Sequence, residues 1–228
     1  MEGKKNFISF SGGKDSTAML HLLIENKYPF DDVIFFDTGW EFPEMYDHIS
    51  LVEQKTGIKI TVVQPTKPFE YYLSEHIVKK GKHAGINGYG WPWAKGRWCT
   101  GIKCKTIDKL VKDNNQYIGI AADEKKRCKD NPKYIYPIVD LGYTEKQCLE
   151  YCYSLGYTWG GLYEQHSRVS CFCCPLQGTK SIKWLYTERP ELWNRIKKMD
   201  RVSDKFDTPS LFHGRTIKEW EERFQKGK

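Results

Sequence analysis

A run of six residues near the start of the chain, Ser11–Ser16, has the composition of a phosphate-binding loop and reads SGGKDS. It follows an apolar stretch typical of a β-strand and precedes a stretch with the apolar spacing of an α-helix. Such a turn points backbone N–H groups at one spot before the helix N-terminus, where phosphate binds. Gly12 and Gly13 allow a ligand to approach the backbone, and Lys14 adds positive charge. The alternative is an ordinary strand–turn–helix corner that contains two glycines.

This run differs from the two common nucleotide-binding loops. A Walker A loop has four residues between its first glycine and Gly-Lys-Ser/Thr, and a dinucleotide-binding loop reads Gly-x-Gly-x-x-Gly. The run SGGKDS fits neither pattern. If Ser11–Ser16 binds a phosphate, we expect it to be a phosphate-binding loop of another class.

A second polar turn, Asp37-Thr38-Gly39, follows the next apolar stretch. Small polar groups next to a phosphate loop suit a nucleotide site, and Phe36 supplies a ring that can flank a purine. Taken alone, a plain strand-to-helix turn with Asp37 as a cap explains these residues better. The turn therefore gains functional meaning only together with Ser11–Ser16.

A third polar segment comes after a later apolar stretch and contains Asp123, Glu124 and Arg127. An arginine in this position can bind a phosphate or sulfate through two parallel hydrogen bonds. Either carboxylate can hold Mg²⁺ or orient Arg127. A solvated, charged turn is the alternative explanation.

The eight cysteines include two groups with the spacing of metal ligands. Cys99 and Cys104 form one group, and the pair Cys171-x-x-Cys174 followed by proline forms the other. Four thiolates from two loops suit either Zn²⁺ or a [4Fe–4S] cluster, and the spacing does not choose between them. Unligated, reduced cysteines are a further alternative. Cys148 and Cys152, four residues apart on a predicted helix, are expected to pack in the core.

Together these segments resemble the PP-loop ATP pyrophosphatase superfamily, and within it the phosphoadenylylsulfate (PAPS) reductase family. The run SGGKDS resembles the PP-loop, the Asp-Thr-Gly turn before a Pro-Glu helix start resembles the family's nucleotide site, and the third segment resembles its substrate site. The resemblance spans roughly residues 5–180. It implies that Lys14, Asp15, Lys103 and Arg127 are catalytic, with Asp15 and Asp37 as candidates for Mg²⁺ and ribose contacts. The residues expected to bind the nucleotide are Ser9, Ser11, Gly12, Gly13, Lys14, Asp15, Ser16, Phe36, Asp37, Thr38, Gly39, Asp123, Glu124 and Arg127.

The resemblance also favours [4Fe–4S] over Zn²⁺. Bacterial adenylylsulfate reductases and DNA phosphorothioation proteins pair a cysteine before a lysine with a distant Cys-x-x-Cys. Adenylylsulfate reductases have tandem cysteines at the first position, where this chain has Trp98 and Cys99. The expected ligands are therefore Cys99, Cys171 and Cys174 with Cys104 as the fourth, and Cys173 is the alternative. Lys103, four residues after Cys99, matches the family's basic residue.

Strand and helix patterns alternate along the first part of the chain, which predicts an α/β fold with a parallel sheet. The resemblance makes this a Rossmann-like core of the adenine nucleotide alpha hydrolase type. We expect the core to span residues 1–155 and a cysteine-rich, mostly helical extension to span residues 156–228. The predicted strands are 5–10, 32–37, 58–63 and 117–121, and the predicted helices are 15–26, 43–56, 69–79, 104–114, 144–155, 181–186, 190–200 and 216–224, with a long loop over 81–96.

Composition limits the location and the partners. The net charge of +7 permits a nucleic-acid or other polyanionic partner. No stretch of about 18 apolar residues is present, and the first strand begins too early to leave room for a signal peptide, so we expect a cytoplasmic protein without membrane contact. In that compartment cysteines bind metals or stay reduced.

One departure from the family directs the expected activity. Sulfonucleotide reductases use a nucleophilic cysteine on a C-terminal tail, and no cysteine follows Cys174 in this sequence. The leading hypothesis is therefore a sulfur-metabolism transferase that binds ATP and Mg²⁺ and adenylylates an acceptor, or transfers sulfur, with an iron–sulfur cluster. A sulfur donor protein and a nucleic-acid acceptor are the expected partners. The alternatives are a sulfonucleotide reductase (an oxidoreductase with a thioredoxin-like reductant) that uses an atypical cysteine such as Cys173, and a non-catalytic nucleotide- or zinc-binding adaptor.

Overall fold

The structure is a computed structural model that describes residues 3–81, 84–203 and 211–227, without the side chains of residues 201–203. The chain forms two compact units. The first unit consists of residues 1–37, 43–64 and 104–162, and the second of residues 38–42, 65–103 and 163–228. Both units are thus built from separate stretches of chain, whereas the sequence-based division at residue 155 assumes two continuous segments.

The first unit is built on a parallel five-stranded sheet with the order β3-β2-β1-β4-β5. The α/β fold class predicted from the sequence is confirmed. Ile8 at the centre of the sheet lies opposite Val33 on one side and Tyr117 on the other. Strands of such sheets are apolar runs because helices cover both faces. The strands are β1 (Asn6–Phe10), β2 (Asp32–Phe36), β3 (Ile60–Val63), β4 (Asn115–Ile118) and β5 (Tyr134–Ile135).

The helices follow the strands and fill the second unit. The first unit contains α1 (Lys14–Glu25), α2 (Pro43–Thr56), α5 (Pro137–Asp140) and α6 (Glu145–Ser154). The second contains α3 (Phe69–Ser74), α8 (Thr179–Glu188), α9 (Pro190–Ser203) and α10 (Ile217–Gln225), and the unit boundaries fall within α4 (Trp98–Val111) and α7 (Leu162–Gln165). Short 3₁₀ helices cover Ala122–Arg127 and Trp159–Gly161.

Helix α6 packs against α1 in the first unit. Thr144 begins α6 with a capping box, because its side chain accepts from the backbone N–H of Gln147 and the Gln147 side chain accepts from the backbone N–H of Thr144. Cys148 and Cys152 are fully buried. The Cys152 thiol donates to the carbonyl oxygen of Lys14 at 3.4 Å. The predicted core role of both cysteines is confirmed.

Several element boundaries predicted from the sequence are wrong. Helix α3 ends at Ser74 rather than Lys79, because the following chain doubles back and Gly90 donates its N–H to the carbonyl of Leu73 at 3.0 Å. Helix α4 begins at Trp98, six residues before the predicted start. Strand β4 begins and ends earlier than predicted, and β5, which has two residues, was not predicted. Short or glycine-containing elements such as these give weak sequence patterns.

The second unit has an aromatic core around Trp40, Phe69, Trp91 and Phe172, all buried. The guanidinium of Arg195 lies 4.1 Å from the centre of the Trp40 ring. This arrangement covers an apolar ring with a delocalised cation. Helix α10 completes the unit by packing Phe224 against Tyr186 and Trp193. The predicted cysteine-rich, mostly helical C-terminal part is confirmed.

Within the part of the chain that the structure describes, no helix combines the length and the apolar character needed to cross a membrane.

Candidate functional site

The strand order places two polar loops at the same edge of the sheet. Strand β1 lies between β2 and β4, because the chain continues to β2 and β3 on one side of β1 and then crosses to β4 and β5 on the other. Ligands of open parallel sheets bind beyond the carboxyl ends of the strands at such a switch point. The loop Ser11–Ser16 follows β1, and the 3₁₀ helix Ala122–Arg127 comes shortly after β4.

The loop after β1 is held by its own hydroxyl groups. The backbone N–H of Ser11 donates to Oγ of Ser16 at 3.1 Å, and the Ser16 hydroxyl donates to the carbonyl oxygen of Gly13 at 3.0 Å. The Ser11 and Ser16 hydroxyl oxygens lie 3.0 Å apart. These hydrogen bonds within the loop stabilise the conformation of the turn directly before α1. First-turn amides of a helix have no carbonyl partner within the helix, which makes them suitable donors for an anion.

Gly12 is fixed from two sides. Its φ of +76° is a left-handed conformation that favours glycine. A Cβ atom at this position would collide with the sulfur of Met45 on α2. The indole N–H of Trp159 donates to the Gly12 carbonyl oxygen at 2.7 Å. The Gly12 carbonyl oxygen therefore already has a hydrogen-bond donor within the protein, and this bond holds the loop in place.

Trp159 is positioned by a buried histidine. The rings of His48 and Trp159 stack with centroids 4.3 Å apart and an interplanar angle of 26°. Nε2 of His48 is hydrogen-bonded to the Thr17 hydroxyl of α1 at 2.9 Å. Burial lowers the pKa of His48 from 6.5 to about 3, so the ring is neutral near pH 7. We call Thr17, His48 and Trp159 the loop support.

The end of β4 approaches the start of α1 at Gly119. A Cβ atom on Gly119 would lie 3.1 Å from both the Cα and the backbone nitrogen of Ser16. Real Cβ contacts are rarely this short, so any other residue would push the loop aside. The loop geometry depends on this close backbone contact.

Lys14 and three carboxylates form a charged cluster beside the loop. Nζ of Lys14 lies 2.8 Å from an oxygen of Asp15 and 2.8 Å from an oxygen of Glu145 at the start of α6. One oxygen each from Asp15, Glu124 and Glu145 lie within 4.8 Å of one another, close enough to share a metal ion. Burial opposes the charge on Lys14, but the two carboxylates raise its pKa overall. Burial raises the pKa of Asp15, and Lys14 counteracts part of this effect.

The segment after β4 joins this cluster. The backbone N–H of Glu145 donates to Oδ1 of Asp123 at 3.0 Å. Glu124 contributes to the carboxylate group and forms an ion pair with Arg127 one helical turn later. The structure therefore brings the Asp123–Arg127 segment together with Lys14 and Asp15, two groups that the sequence analysis singled out separately.

Three other predicted nucleotide-binding residues of the first unit make contacts within it. Asp37 is buried and accepts from the Tyr46 hydroxyl at 2.8 Å and from the Gln64 side-chain amide at 3.1 Å. The Ser9 hydroxyl accepts from the amide of Gln116. Phe36 is buried in β2.

Thr38 and Gly39 lie in the second unit. The Thr38 hydroxyl donates to Glu41 at 2.8 Å. The Gly39 carbonyl oxygen accepts from Nη1 of Arg195 at 2.8 Å. These contacts hold the turn that follows β2 in a defined conformation.

Four thiols interact in the second unit, and we call them the thiol cluster: Cys99, Cys171, Cys173 and Cys174. Burial, together with the neighbouring Cys173 and Cys174, raises the pKa of Cys99 to about 11. Hydrogen bonds to Cys173 and Cys174 raise the pKa of Cys171, and the bond from Cys171 lowers that of Cys174 to about 6. Four thiols from two segments match the donor set of a four-thiolate [4Fe–4S] or Zn²⁺ site.

Cys104 and Lys103 follow Cys99 on α4. Lys103 comes one helical turn after Cys99 and is half-buried. Cys104 comes five residues after Cys99, which rotates it by about 140° around the helix axis. Its thiol is exposed, and after burial and Asp108 it is a further cause of the raised pKa of Tyr134 in the first unit. The thiol cluster thus contains Cys173, the alternative fourth ligand in the sequence analysis.

Residues 5–177 match the sequence profile of the phosphoadenosine phosphosulfate reductase domain. The chain belongs to this family. The match covers the sheet, the phosphate loop, the charged cluster and all members of the thiol cluster. It confirms the resemblance that the motifs indicated, and the named domain is that of an enzyme.

Relatives of this PAPS reductase family member include larger proteins. This chain is 29% identical over 208 residues to the uncharacterized protein MJ0066 of Methanocaldococcus jannaschii, and the match covers 84% of this chain and 40% of that protein. It is 34% identical over 101 residues to sulfate adenylyltransferase subunit 2 of Shewanella sp. (strain ANA-3), covering 38% of this chain and 33% of that one. The chain spans 40 to 56% of the length of the first three curated relatives.

A solved structure supports the family fold. The phosphoadenylyl-sulfate (PAPS) reductase from Candida auris, crystallised as a phosphate complex, superposes with a TM-score of 0.50 at 15% identity. The superposition covers 73% of this chain and 81% of that one. At this identity the likeness shows the fold.

Three residues of this site were not predicted from the sequence of this family member: Glu145, His48 and Trp159. Glu145 lies 131 residues from Lys14, and Trp159 lies 147 residues from Gly12. Glu145 falls in the first turn of the helix predicted over 144–155, where an acidic residue has an ordinary local explanation. A buried histidine and a tryptophan resemble ordinary core residues, so no local signal distinguishes them.

Proposed function

We propose that this PAPS reductase family member binds ATP with Mg²⁺ and activates an acceptor by adenylylation. The observation that carries the proposal is the meeting of Lys14, Asp15, Glu124 and Glu145 beside the phosphate loop. A carboxylate group next to a phosphate cradle suits a nucleotide that arrives with a divalent cation. Mg²⁺ prefers oxygen ligands and is usually bound through one or two carboxylates plus substrate phosphates.

The proposed step is a displacement at the α-phosphorus of ATP. A nucleophilic atom of the acceptor forms a bond to this phosphorus, and the bond to the bridging α–β oxygen breaks. The electron pair leaves with pyrophosphate. Charge therefore develops on the leaving oxygens, which is where the first-turn amides of α1 and the ammonium of Lys14 would act.

The other site residues predicted from the sequence have proposed roles in binding the ligand and balancing charge. Arg127 would bind a phosphate or sulfate group once it exchanges its ion pair with Glu124 for the ligand. Asp37, Thr38 and Gly39 would contact the nucleoside, and Phe36 would flank its base. Lys103, one turn after Cys99, would offset negative charge near the thiol cluster.

The thiol cluster would hold a [4Fe–4S] cluster, with Zn²⁺ as the alternative. A cluster held by all four thiolates has no open iron, so it would supply one-electron transfer. Sulfur transfer would then proceed by attack of sulfide on the adenylylated acceptor, with AMP as the leaving group. We propose Cys99, Cys171, Cys173 and Cys174 as the ligands because their thiols interact within one unit. Ligation by Cys104 in place of Cys173 is the competing assignment.

The test is pyrophosphate release by anaerobically purified protein. ATP and Mg²⁺ are supplied with candidate acceptors and a sulfide source. Glu145→Gln keeps the shape of the side chain and removes its charge, so we expect at least a tenfold loss of activity. Glu150→Gln is the matched control, since Glu150 lies on the same helix but pairs with Lys146 in solvent. Equal loss in both variants would contradict a specific role of Glu145.

The alternatives give different products. Sulfite release from PAPS or adenylylsulfate with a thioredoxin, and no pyrophosphate release, would favour a reductase. Cys173 is buried, which counts against it as the nucleophile of that reaction. Zinc without iron or sulfide, together with nucleotide binding but no turnover, would favour the adaptor.

A further inference from the structure

The stretch 65–103 of the second unit holds most of the excess positive charge of the chain. It contains seven Lys or Arg residues and two Glu residues, in a protein whose net charge is +7. One of the two acids, Glu70, already accepts from Arg195 at 2.9 Å and from the Trp40 indole at 3.1 Å. The stretch therefore presents concentrated positive charge, which favours a polyanionic partner.

Several of these cations are exposed to solvent. Lys79, Lys80, Lys95 and Arg97 are exposed, and no carboxylate among the described residues lies within 4.0 Å of them. Ion pairs inside the protein would reduce what such charges contribute to binding. These four side chains are available to phosphate groups.

Aromatic rings lie in the same stretch of chain as these cations. The Tyr89 and Trp98 rings stack with centroids 5.7 Å apart and an interplanar angle of 26°, and His76 lies 4.7 Å from Tyr89. Tyr72 is 5.6 Å from His76 and continues the row. Tyr89 is 38% exposed. The row is thus accessible at its Tyr89 member.

Trp93 provides a separate exposed ring. It is 52% exposed although tryptophan is rarely so accessible. Gly96 closes a tight turn beneath it, with its N–H donating to the Trp93 carbonyl at 2.9 Å, and a Cβ on Gly96 would collide with the indole nitrogen. One side of the indole therefore packs on the glycine backbone and is held in place. The rest of the ring faces solvent.

The loop that carries Tyr89 is held by the backbone. Tyr89 donates its N–H to the Tyr72 carbonyl at 2.9 Å, and Gly90 donates to Leu73 at 3.0 Å. The indole N–H of Trp98 donates to the Gly90 carbonyl at 3.0 Å. A ring that is already positioned loses little conformational entropy when a ligand stacks on it.

We propose that this surface, formed by Tyr89 and Trp93 with Lys79, Lys80, Lys95 and Arg97, binds single-stranded nucleic acid. Proteins bind single strands by combining cations that follow the backbone with aromatic rings on which bases stack. The cations match the phosphates and the exposed rings match unpaired bases. A duplex hides the base faces, so it would use the cations only. This proposal does not depend on the proposed adenylylation.

The test is binding of fluorescein-labelled 12-mers of oligo(U) RNA and oligo(dT) DNA, followed by fluorescence anisotropy without ATP. We expect single strands to bind at least fivefold more tightly than a 12-base-pair duplex of mixed sequence. RNA preference would assign the site to RNA, and equal binding would assign it to single strands in general. Anionic vesicles of phosphatidylserine and phosphatidylcholine test the membrane alternative. Binding of vesicles but not of single strands would overturn the proposal.

Variants separate the two kinds of contact. Tyr89→Ala/Trp93→Ala is expected to weaken single-strand binding about tenfold or more, and Tyr89→Phe/Trp93→Phe to retain it because the rings remain. Tyr153→Ala is the control, since Tyr153 is an exposed tyrosine of the first unit.

Lys79→Ala/Lys80→Ala tests the phosphate contacts and is expected to reduce the slope of log K against log salt by about 1.4. The control Lys180→Ala/Lys183→Ala, on α8, is expected to leave the slope unchanged. If Tyr89→Ala/Trp93→Ala binds single strands as tightly as wild type and unfolds at the same temperature, the stacking role is refuted.

The outcome is independent of the adenylylation assay. If pyrophosphate release fails while single-strand binding holds, only the proposed function is contradicted. If binding fails while pyrophosphate is released, only this surface is contradicted.

Discussion

The indole N–H of Trp159 donates a 2.7 Å hydrogen bond to the carbonyl oxygen of Gly12, 147 residues earlier in the chain. This bond ties a turn of the phosphate loop to the segment that follows α6. Both partners are buried, so water cannot replace the bond when it is lost. An unsatisfied buried acceptor costs about 1–3 kcal/mol.

Trp159→Phe removes only the donor, because the phenyl ring can still stack on His48. We expect a loss of about 1–3 kcal/mol in the free energy of unfolding in urea and a weaker affinity for ATP with Mg²⁺. Trp93→Phe makes the same chemical change at an exposed ring and is expected to alter neither quantity. A Trp159→Phe variant with unchanged nucleotide affinity would show that the bond serves stability alone.

Gly12→Ala is expected to disrupt the phosphate loop more than its backbone conformation explains. Gly142 has the same φ of +76°, and nothing lies within 4 Å of a Cβ built on it. Gly142→Ala should therefore cost about 1–2 kcal/mol, the price of the left-handed conformation. Gly12→Ala adds the collision with Met45, which costs about 1–3 kcal/mol more, and it should abolish nucleotide binding. Urea unfolding and calorimetric titration with ATP measure the two effects.

The double variant Gly12→Ala/Met45→Ala tests the cause of that difference. It removes the colliding sulfur and leaves the backbone conformation strained. Compared with Met45→Ala alone, the glycine change should then cost about as much as Gly142→Ala. A cost that stays as large as in the single variant would show that the collision is not the reason.

The buried His48 predicts a loss of stability on acidification. Its pKa is lowered from 6.5, the value for a free histidine, to about 3 in the folded protein. Between these values the unfolded chain holds a proton that the folded protein lacks, so stability falls as the pH falls. The contribution of His48 is about 2 kcal/mol between pH 7 and pH 5. His48 faces Thr17, Tyr157 and Trp159, and His21 also lowers its pKa.

His48→Phe isolates this contribution because phenylalanine stacks but does not titrate. The difference in unfolding free energy between wild type and variant should shrink on going from pH 7 to pH 5. Chemical unfolding in urea at four pH values measures it. Parallel curves for the two proteins would contradict a neutral, buried His48.

The fourth ligand of the proposed iron–sulfur cluster is decided by comparing two serine variants. Cys173→Ser should lower iron and sulfide content to less than half of wild type, because Cys173 interacts with Cys99 and Cys171. Cys104→Ser, a change at an exposed thiol, should retain both. Anaerobic preparation with iron and sulfide analysis is the measurement. The opposite pattern would support the ligand set predicted from the sequence.

The phosphate loop was predictable because its signals are local. Two glycines, a lysine and two serines stand between an apolar strand and a helix, and each has a direct physical use there. The structure confirms the strand, the turn and the helix. Asp123, Glu124 and Arg127 were also recognisable, since charged residues after a buried strand lie at the ligand edge of a parallel sheet.

The rest of the site depends on contacts between distant segments. Nothing near Glu145 indicates that its carboxylate faces Lys14, and nothing near His48 indicates that it stacks on Trp159. Cys173 was likewise only the alternative ligand in the sequence-based prediction, because the Cys-x-x-Cys spacing favours Cys171 and Cys174. Helix α4 was placed too late because Gly101 weakens the helical pattern of its first turns. In each case tertiary packing decides what local propensity leaves open.

The close contact at Gly119 affects how this sequence can change. Gly119 and Ser16 belong to different motifs, yet a Cβ atom on Gly119 would lie 3.1 Å from the Ser16 backbone and would displace it. A substitution at position 119 would thus damage the phosphate loop without altering any residue of it. Attempts to transplant the loop into another sheet must carry the glycine of the neighbouring strand with it. The phosphate loop and the glycine that follows β4 therefore have to be kept together as one structural unit.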